Sequence, residues 1–243
     1  IPCPTQDIYY QHQRYIGNYS CQFQVPADVP EGSYVVRAHN HTGEAWGWSE
    51  PLALEVRKPG PEPKLIRAAT LDQRVLDEAG KSAPAIVVLP PGTFTLTETL
   101  AIPPGVTLRG SGMHNTILRP SETPPFRPRA WERMPGALLC ARGDFTIEDL
   151  TLRGIGHGGG AYLAAVSDRG NLCQNVQLRR CRFEAPGGWF SIYVDRARRF
   201  CLDHCDLRSS GIIAAEMQDS YLGFNTFEKD NRTDGTWFGW ASF

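Results

Sequence analysis

Two acidic side chains in the second half of the chain, Asp195 and Glu216, have the residue type and spacing that glycoside hydrolysis requires. Asp195 faces outward if the strand around it alternates in the usual way. On the next predicted strand, Ile213, Ala215 and Met217 would point inward, and Glu216 and Gln218 outward. The two carboxyl groups would then lie on adjacent strands, about 5–8 Å apart, where one can act as acid and the other as base or nucleophile. The alternative is a solvated sheet face that merely carries acids.

A histidine accompanies this pair. His157 stands in a glycine-rich loop, Gly156-His157-Gly158, that is predicted to enter the same sheet. An imidazole can give or take a proton near neutral pH, so we expect His157 to overlook the two carboxylates as a third catalytic group. An ordinary loop histidine is the alternative.

Other side chains near the pair suit an elimination reaction on an acidic sugar. Tyr193, Arg196 and Lys229 could bind a uronate, neutralise its carboxylate or remove the adjacent proton. Such a lyase could use Ca²⁺, for which the two carboxylates and Asp219 form a loose candidate set. A hydrolase needs no cofactor, and we predict no resident metal.

Aromatic side chains offer surfaces on which sugar rings pack through their apolar faces. Trp131 lies in a long proline-rich loop, and Trp189 starts the predicted strand that carries Asp195. We expect Trp131 or Trp189 to be exposed, in preference to Trp237 and Trp240, and both are candidates to bind substrate.

A repeated apolar signature indicates which elements position these residues. Its copies start at residues 145, 176, 200 and 220, and the apolar positions within each copy are two, three and two residues apart. Alternation over two residues is typical of a strand, and the gap of three indicates a corner. A fixed unit separated by variable loops is typical of a stacked solenoid. The copies are Phe145-x-Ile147-x-x-Leu150-x-Leu152, Val176-x-Leu178-x-x-Cys181-x-Phe183, Phe200-x-Leu202-x-x-Cys205-x-Leu207 and Ser220-x-Leu222-x-x-Asn225-x-Phe227.

The segment before the repeats resembles the start of a known fold family. Thr70 and Gln73 form a predicted capping box, and Gly80 is predicted to end that helix. Two segments follow, Val88-Leu89-Pro90-Pro91-Gly92-Thr93-Phe94 and Ile102-Pro103-Pro104-Gly105-Val106-Thr107-Leu108-Arg109-Gly110-Ser111-Gly112. Helix and segments resemble the N-terminal cap and first coils of the pectate-lyase-like superfamily. The resemblance implies a right-handed parallel β-helix over residues 64–243. It leaves the activity open, because that superfamily holds lyases, hydrolases and non-catalytic surface proteins.

In that fold each coil has three strands, and the signature supplies the second and third. The first strands are then Ala137–Ala141, Ala161–Ser167, Trp189–Asp195, Gly211–Gln218 and Thr236–Ser242. The loops that enter them vary in length and would wall a trough along the first-strand sheet, where the resemblance implies that substrate binds. These loops are Pro120–Gly136, Arg153–Gly160, Glu184–Gly188, Arg208–Ser210 and Glu228–Gly235.

Residues 1–57 are predicted to form a separate small β-domain that looks like the closing half of an immunoglobulin-like sandwich. Its predicted strands are Gln22–Pro26, Gly32–Ala38 and Pro51–Val56. Residues 58–63, Lys-Pro-Gly-Pro-Glu-Pro, form a stiff linker. We expect the solenoid to continue beyond residue 243, because the sequence stops inside an apolar segment and solenoids end in a capping element.

Charge and cysteine content narrow the partners and the compartment. The net charge of −1 and the pI of about 6.7 argue against nucleic acid, and no apolar run approaches the length of a membrane span. Of the seven cysteines, Cys3 and Cys21 could form a disulfide in an oxidising compartment. Cys181 and Cys205 hold the same inward position in successive copies, so we expect stacked buried thiols, with a disulfide as the alternative.

The sequence therefore favours a secreted or cell-surface carbohydrate-active β-helix that acts on a polysaccharide as a hydrolase or a lyase. The alternative is a non-catalytic glycan-binding or structural module within a larger surface assembly. Outward carboxylates and aromatics favour the enzyme, whereas the absence of a complete catalytic motif favours the module.

Overall fold

The structure, a computed structural model, describes residues 29–36, 52–56, 60–127, 136–155, 161–167, 171–186, 189–208 and 212–228. The chain divides into two compact units, residues 1–60 and 61–243. In chain order the elements are β1 (Gly32–Val36), β2 (Leu52–Val56), β3 (Lys64–Arg67), α1 (Gln73–Lys81), β4 (Ala85–Val88), β5 (Gly92–Leu96), β6 (Leu100–Ile102), β7 (Val106–Arg109), β8 (Thr116–Pro120), β9 (Ala137–Ala141), β10 (Phe145–Glu148), β11 (Thr151–Arg153), β12 (Tyr162–Val166), β13 (Cys173–Arg179), β14 (Arg182–Glu184), β15 (Phe190–Asp203), β16 (Asp206–Arg208), β17 (Ile212–Gln218), β18 (Tyr221–Gly223) and β19 (Thr226–Glu228).

The small unit contains one described pair of strands. β1 and β2 are antiparallel, with Gly32 opposite Val56 and Val36 opposite Leu52. These strands coincide with two of the three predicted ones. The third, at residues 22–26, lies outside the described residues, so the immunoglobulin-like assignment stays a prediction.

The capping helix α1 begins later than predicted. Asp72, and not Thr70, is the N-cap, and its carboxylate accepts the backbone N–H of Val75 at 3.1 Å. A carboxylate is well suited to this position because it also complements the positive end of the helix dipole. Gln73 is not part of a capping box. Its side chain accepts the N–H of Ala101 at 2.8 Å and donates to the Ala101 carbonyl at 2.9 Å, which ties the helix to β6.

Gly80 lies inside the helix and does not end it. The helix continues to Lys81, and a Cβ at residue 80 would come within 2.8 Å of Pro103 Cβ. The glycine therefore permits close packing of the helix on the first coil. Leu76 and Ala79 are fully buried on the same side of the helix.

The large unit is a parallel β-solenoid of about six turns, which confirms the predicted fold class. The first-strand sheet contains β6, β9, β12, the first half of β15, and β17. β3, β4, β7, β10, β13, the second half of β15, and β18 form the second-strand sheet. The third-strand sheet has the order β19-β16-β14-β11-β8-β5. The long strand β15 rounds the first corner without a break and so joins the first two sheets.

The interior is built from ladders of apolar side chains, one from each coil. Leu178 is in register with Leu202, as predicted, and both are fully buried. Because neighbouring strands are about 4.8 Å apart, each side chain packs on its counterparts above and below. The ladder of the second-strand sheet is Val87, Leu108, Ile147, Leu178, Leu202 and Leu222, and that of the third-strand sheet is Phe94, Leu118, Leu152, Phe183, Leu207 and Phe227.

The gap of three residues in the signature is a corner with left-handed backbone conformation. Asp149, Arg180, His204 and Phe224 hold this corner in four successive coils, with φ between 49° and 59°. A left-handed residue reverses the chain direction sharply enough to send the next strand into another sheet. An equivalent column, Asp144, Asn175, Arg199 and Asp219, precedes the second strand of each coil.

Cys181 and Cys205 are stacked free thiols in the interior, as predicted. Cys181 is 0% exposed and Cys205 is 2% exposed. Each sulfur also lies near a carbonyl oxygen, Cys181 Sγ at 3.2 Å from that of Arg179 and Cys205 Sγ at 3.4 Å from that of Asp203. Burial raises the pKa of Cys181 well above its ordinary value. The pair therefore fills a ladder position in the solenoid interior.

Candidate functional site

The outer faces of the second- and third-strand sheets are covered by ion pairs between coils. On the second-strand sheet, Arg109 Nε lies 2.6 Å from Glu148 Oε1. Arg179 and Asp203 hold the equivalent positions in the next two coils and so continue this row of charged residues. On the third-strand sheet, the corresponding row is Arg153, Glu184, Arg208 and Glu228. Salt bridges join Arg153 to Glu184 and Arg208 to Glu228. The salt-bridged members of these rows compensate one another's charges and hold neighbouring coils together.

The outer face of the first-strand sheet is different, because it is largely apolar. The row in register there is Ala101, Cys140, Ala165, Tyr193 and Ile213. Together with Ala137, Tyr162 and Phe190 these residues form a second apolar cluster, separate from the solenoid interior. We call this surface the first-sheet face.

Three aromatic rings lie together on the first-sheet face. Tyr162 and Phe190 are stacked, with ring centroids 5.2 Å apart and an interplanar angle of 28°. Tyr193 is tilted against Tyr162 at a centroid distance of 5.2 Å. Tyr162 is only 7% exposed, whereas Phe190 and Tyr193 keep part of their surface accessible. The cluster therefore presents the rings of Phe190 and Tyr193, supported from the side by Tyr162.

Asp195 lies next to these rings at the end of the first-strand part of β15. Its Oδ2 accepts a hydrogen bond from the Ser167 hydroxyl at 3.0 Å. Burial raises the pKa of Tyr193, and the negative charge of Asp195 raises it further. Burial likewise raises the pKa of Tyr162. Both phenols are therefore neutral near pH 7 and can donate hydrogen bonds.

Glu216 does not occupy the position expected from the sequence. Ala214, and not Ala215, packs in the solenoid interior, and Ile213 belongs to the first-sheet face. The register of β17 on β15 places Glu216 opposite Arg196. The inward assignment was wrong by one residue at Ile213 and Ala215, and in a strand such a slip exchanges the two faces. Met217, further along β17, does pack against the interior as predicted.

Arg196 binds Glu216 directly. Arg196 Nε is 2.7 Å from Glu216 Oε2, and Gln218 Nε2 donates to Glu216 Oε1 at 2.6 Å. The hydrogen bond from Arg196 lowers the pKa of Glu216, and the same contact raises the pKa of Arg196. Glu216 is thus an ionised partner of an arginine in the next coil. The predicted proximity of its carboxyl group to that of Asp195 stays a prediction.

Trp189 is a core residue, so it is not the exposed one of the two tryptophans expected at the surface. It is 5% exposed, packs against Phe126 at a centroid distance of 6.0 Å, and donates its indole N–H to the Ile155 carbonyl at 3.0 Å. Gly154 makes room for the ring, since a Cβ there would lie 2.6 Å from Trp189 Cγ. The first residue of the predicted strand was assigned to the surface, but its indole ring packs in the interior.

Three predicted site residues, His157, Trp131 and Lys229, lie outside the described residues. So do Trp237 and Trp240, the predicted strand at 236–242, the Cys3–Cys21 pair and most of the predicted wall loops.

The described residues contain no group of three or more His, Cys, Asp or Glu side chains arranged to hold a metal ion. Two members of the loose calcium set are bound by arginines: Glu216 by Arg196, and Asp219 by Arg198 at 2.8 Å. Nor does any described helix have the length and apolar character needed to cross a membrane.

A groove of about 470 Å³ lies elsewhere, at the corner between the second and third sheets. The His204 ring is stacked on Phe224 there with a centroid distance of 4.9 Å, and its Nδ1 lies 2.8 Å from Asp203 Oδ1. Arg180, the cation of this groove, is held by Asp149 at 2.6 Å and by Glu148 at 2.9 Å. The charge of Arg180 is therefore compensated by carboxylates of the protein, as in the ion-pair rows beside the groove.

Sequence reasoning missed three members of the first-sheet face: Tyr162, Phe190 and Ser167. The coil repeat contains a signal for the first two, because Tyr162 and Phe190 hold equivalent positions in successive first strands. Ser167 has no such signal. It reaches Asp195 only because β12 ends beside that residue.

Comparisons with known proteins add little to this description. No protein-family model matches the sequence, and no curated protein is significantly similar to it. A solved structure of pectin methylesterase in complex with a hexasaccharide aligns with it at 10% identity and a TM-score of 0.31. The alignment covers 64% of this chain and 62% of that chain, so this chain matches less than two thirds of that protein.

Proposed function

We propose that this protein is a carbohydrate-active β-solenoid that binds an extracellular polysaccharide along the first-sheet face. The observation that carries the proposal is the placement of the Asp195 carboxylate beside the Tyr193 ring on an otherwise apolar outer sheet. Carbohydrate binding requires this combination, since a sugar ring has an apolar face and a rim of hydroxyl groups. The outer faces of the other two sheets offer compensated ion pairs instead.

Each group of the face has a defined part in such binding. Phe190 and Tyr193 supply flat apolar surface. The Tyr193 phenol is neutral and can donate to, or accept from, a sugar hydroxyl. The Ser167 hydroxyl orients Asp195. The Asp195 carboxylate can accept hydrogen bonds from sugar hydroxyl groups, and such charge-assisted hydrogen bonds are stronger than those between neutral groups. The accessible part of the face is the coil that carries Phe190 and Tyr193, because Cys140 and Ala165 of the two preceding coils are buried.

Binding of the full chain to a panel of linear polysaccharides tests the proposal by affinity electrophoresis and calorimetry. Tyr193→Ala and Asp195→Asn should each weaken binding at least about tenfold, because each removes a direct contact. Tyr221→Ala is the matched aromatic control, since Tyr221 is 41% exposed on the second-strand sheet. Glu184→Gln, on the third-strand sheet, is the carboxylate control. The proposal fails if no polysaccharide binds, or if the two site variants bind as the wild type does.

Glycoside hydrolysis at the same face is a second candidate, favoured by the ionised state of Glu216. Its lowered pKa keeps it available as base or nucleophile, and Asp195 would be the proton donor. Asp195→Asn and Glu216→Gln would then each abolish release of reducing ends while Glu184→Gln retains it. A lyase would instead lose activity in Tyr193, Arg196 or Lys229 variants and give products that absorb in the near ultraviolet. Binding without turnover favours a non-catalytic module of a surface assembly.

A further inference from the structure

We infer that the groove at the corner between the second and third sheets is a second sugar-binding site. This inference goes beyond the proposed function, because this corner is the one that does not border the first-strand sheet. The groove has a volume of about 470 Å³, which is in the range of known ligand pockets. We call it the corner groove.

The corner groove runs along the solenoid axis and is formed by the coils themselves. Its lining residues all belong to the described part of the chain and come from the second corners of five successive coils. They include Met113, Asp149, Arg180, His204 and Phe224. Neighbouring coils are about 4.8 Å apart, so four such spacings make the groove about 19 Å long. In the last four of these coils only two residues, all described, connect the second strand to the third, so no long loop enters the groove between these strands.

Phe224 and His204 give the corner groove an apolar wall. Their rings are stacked, with centroids 4.9 Å apart and an interplanar angle of 28°. Phe224 is 60% exposed although one face of its ring is covered by His204. Much of its apolar surface is therefore accessible to another molecule.

The corner itself does not require an aromatic residue at position 224. The equivalent residues of the three preceding coils are Asp149, Arg180 and His204, so polar side chains also suit this turn. Phe224 has a φ of 53°, a conformation that is unfavourable for a bulky residue and that asparagine adopts more readily. An exposed ring held in an unfavourable backbone conformation points to a contact with a ligand.

Polar groups lie beside these rings. Nδ1 of His204 lies 2.8 Å from Asp203 Oδ1, so Nε2 is the ring nitrogen available to a ligand. Arg180 uses Nε and Nη2 in its salt bridges, and its Nη1 makes no hydrogen bond within the described residues. Thr226 adds an exposed hydroxyl group. Together these groups can both donate hydrogen bonds and accept them.

An apolar wall with such polar groups beside it suits a saccharide, whose rings have an apolar face and a rim of hydroxyl groups. The elongated shape of the corner groove suits a linear chain. Because the corner groove and the first-sheet face lie on different sides of the solenoid, one protein molecule could hold two polysaccharide chains at once.

Neutral linear hexasaccharides of β-1,4-linked glucose, xylose and mannose provide the test. They are titrated by calorimetry into the full chain carrying Tyr193→Ala, so that binding at the first-sheet face is weakened and the corner groove dominates. We expect at least one hexamer to bind. Adding Phe224→Asn, which removes the ring but suits the left-handed corner, should weaken that binding at least about tenfold, and adding Thr226→Val at least about threefold.

Tyr221→Ala is the matched control, because Tyr221 lies in the same coil and is 41% exposed outside the groove. It should change binding by less than about twofold. In the wild type, a saturating hexamer should slow carbethoxylation of His204 by diethyl pyrocarbonate at least about threefold, measured by peptide mapping. If melting curves show that Phe224→Asn does not fold, this protection of His204 decides.

The outcomes separate this inference from the proposed function. If the Tyr193→Ala protein binds no hexamer, if it binds equally well after Phe224→Asn, or if labelling of His204 is unchanged, the inference is overturned and the first-sheet face keeps its own test. If Phe224→Asn weakens binding and Tyr193→Ala alone does not, the corner groove is the sugar site and the proposed function fails. If the wild type binds no saccharide, both fail.

Discussion

Arg196 Nε lies 2.7 Å from Glu216 Oε2, and this contact joins two adjacent coils at the border of the first-sheet face. The pair occupies the place where the sequence predicts two carboxyl groups in mutual reach. In this contact the Glu216 carboxylate accepts a hydrogen bond from Arg196, which lowers the pKa of Glu216. The stability of the ion pair can therefore be followed by titration.

The Glu216–Arg196 pair should make stability depend on pH in the acid range. Because the pKa of Glu216 is lower in the folded protein than its ordinary value of 4.5, the pair stabilises the fold fully above that pH. The contribution is lost as the pH falls through the lowered pKa. Melting temperatures of the wild type and Glu216→Gln, measured from about pH 6 to about pH 3, should converge at the acid end. A difference that stays constant over this range, or that grows on acidification, would contradict the ion pair.

Tyr193→Ala and Trp189→Ala should affect different properties. Trp189 is a buried core residue, so its truncation should cost about 3–5 kcal/mol of folding free energy, measured by urea unfolding. Tyr193 lies on the outer face, so its truncation should cost clearly less and should instead weaken glycan binding. Equal loss of stability in both variants would mean that Tyr193 is a core residue.

Gly154→Ala should destabilise the protein although it adds one methyl group. That group would lie 2.6 Å from Trp189 Cγ, and a packed indole ring has little room to move. We expect a loss of about 1–3 kcal/mol in urea unfolding. Gly60→Ala is the control, since no atom lies within 4 Å of its added Cβ. Identical midpoints for the two variants would refute the close contact.

Leu202→Ala should show that the interior ladders hold the coils together. Leu202 is fully buried and in register with Leu178, so the cavity should cost about 2–5 kcal/mol. The same substitution at Leu65, which is 52% exposed, should change stability by no more than about 0.5 kcal/mol. The comparison uses urea unfolding monitored by circular dichroism. A loss at Leu65 as large as that at Leu202 would be inconsistent with the ladder.

Cys181 and Cys205 should resist alkylation in the folded protein. Both are almost fully buried, so the reagent cannot reach either sulfur in the folded protein. Cys201 is partly exposed and should react with iodoacetamide at least about tenfold faster at mildly alkaline pH. Peptide mapping by mass spectrometry after a timed reaction gives the three rates. Comparable labelling of Cys181 and Cys201 would mean that the thiol ladder is open to solvent.

The sequence by itself determined the solenoid. The spacing in the signature predicts the second and third strands of each coil, because only alternating positions can face a shared interior. It also predicts Leu178 over Leu202 and Cys181 over Cys205, since equivalent positions in successive coils must stack. The first strand at residues 137–141 was likewise predicted with its bounds.

Only the tertiary structure decided which side chains meet on the outer surface. Alternation breaks where β15 and β17 round the first corner, so the face of Glu216 depends on register with the previous coil and not on its own neighbours in sequence. The contact between Ser167 and Asp195 has no sequence signature, because it joins residues 28 positions apart at the ends of two paired strands. The position of Trp189 could not be predicted from the sequence either, because an aromatic residue beside a corner can lie at the surface or in the interior. The absence of a side chain at Gly154 leaves space for the indole ring in the interior.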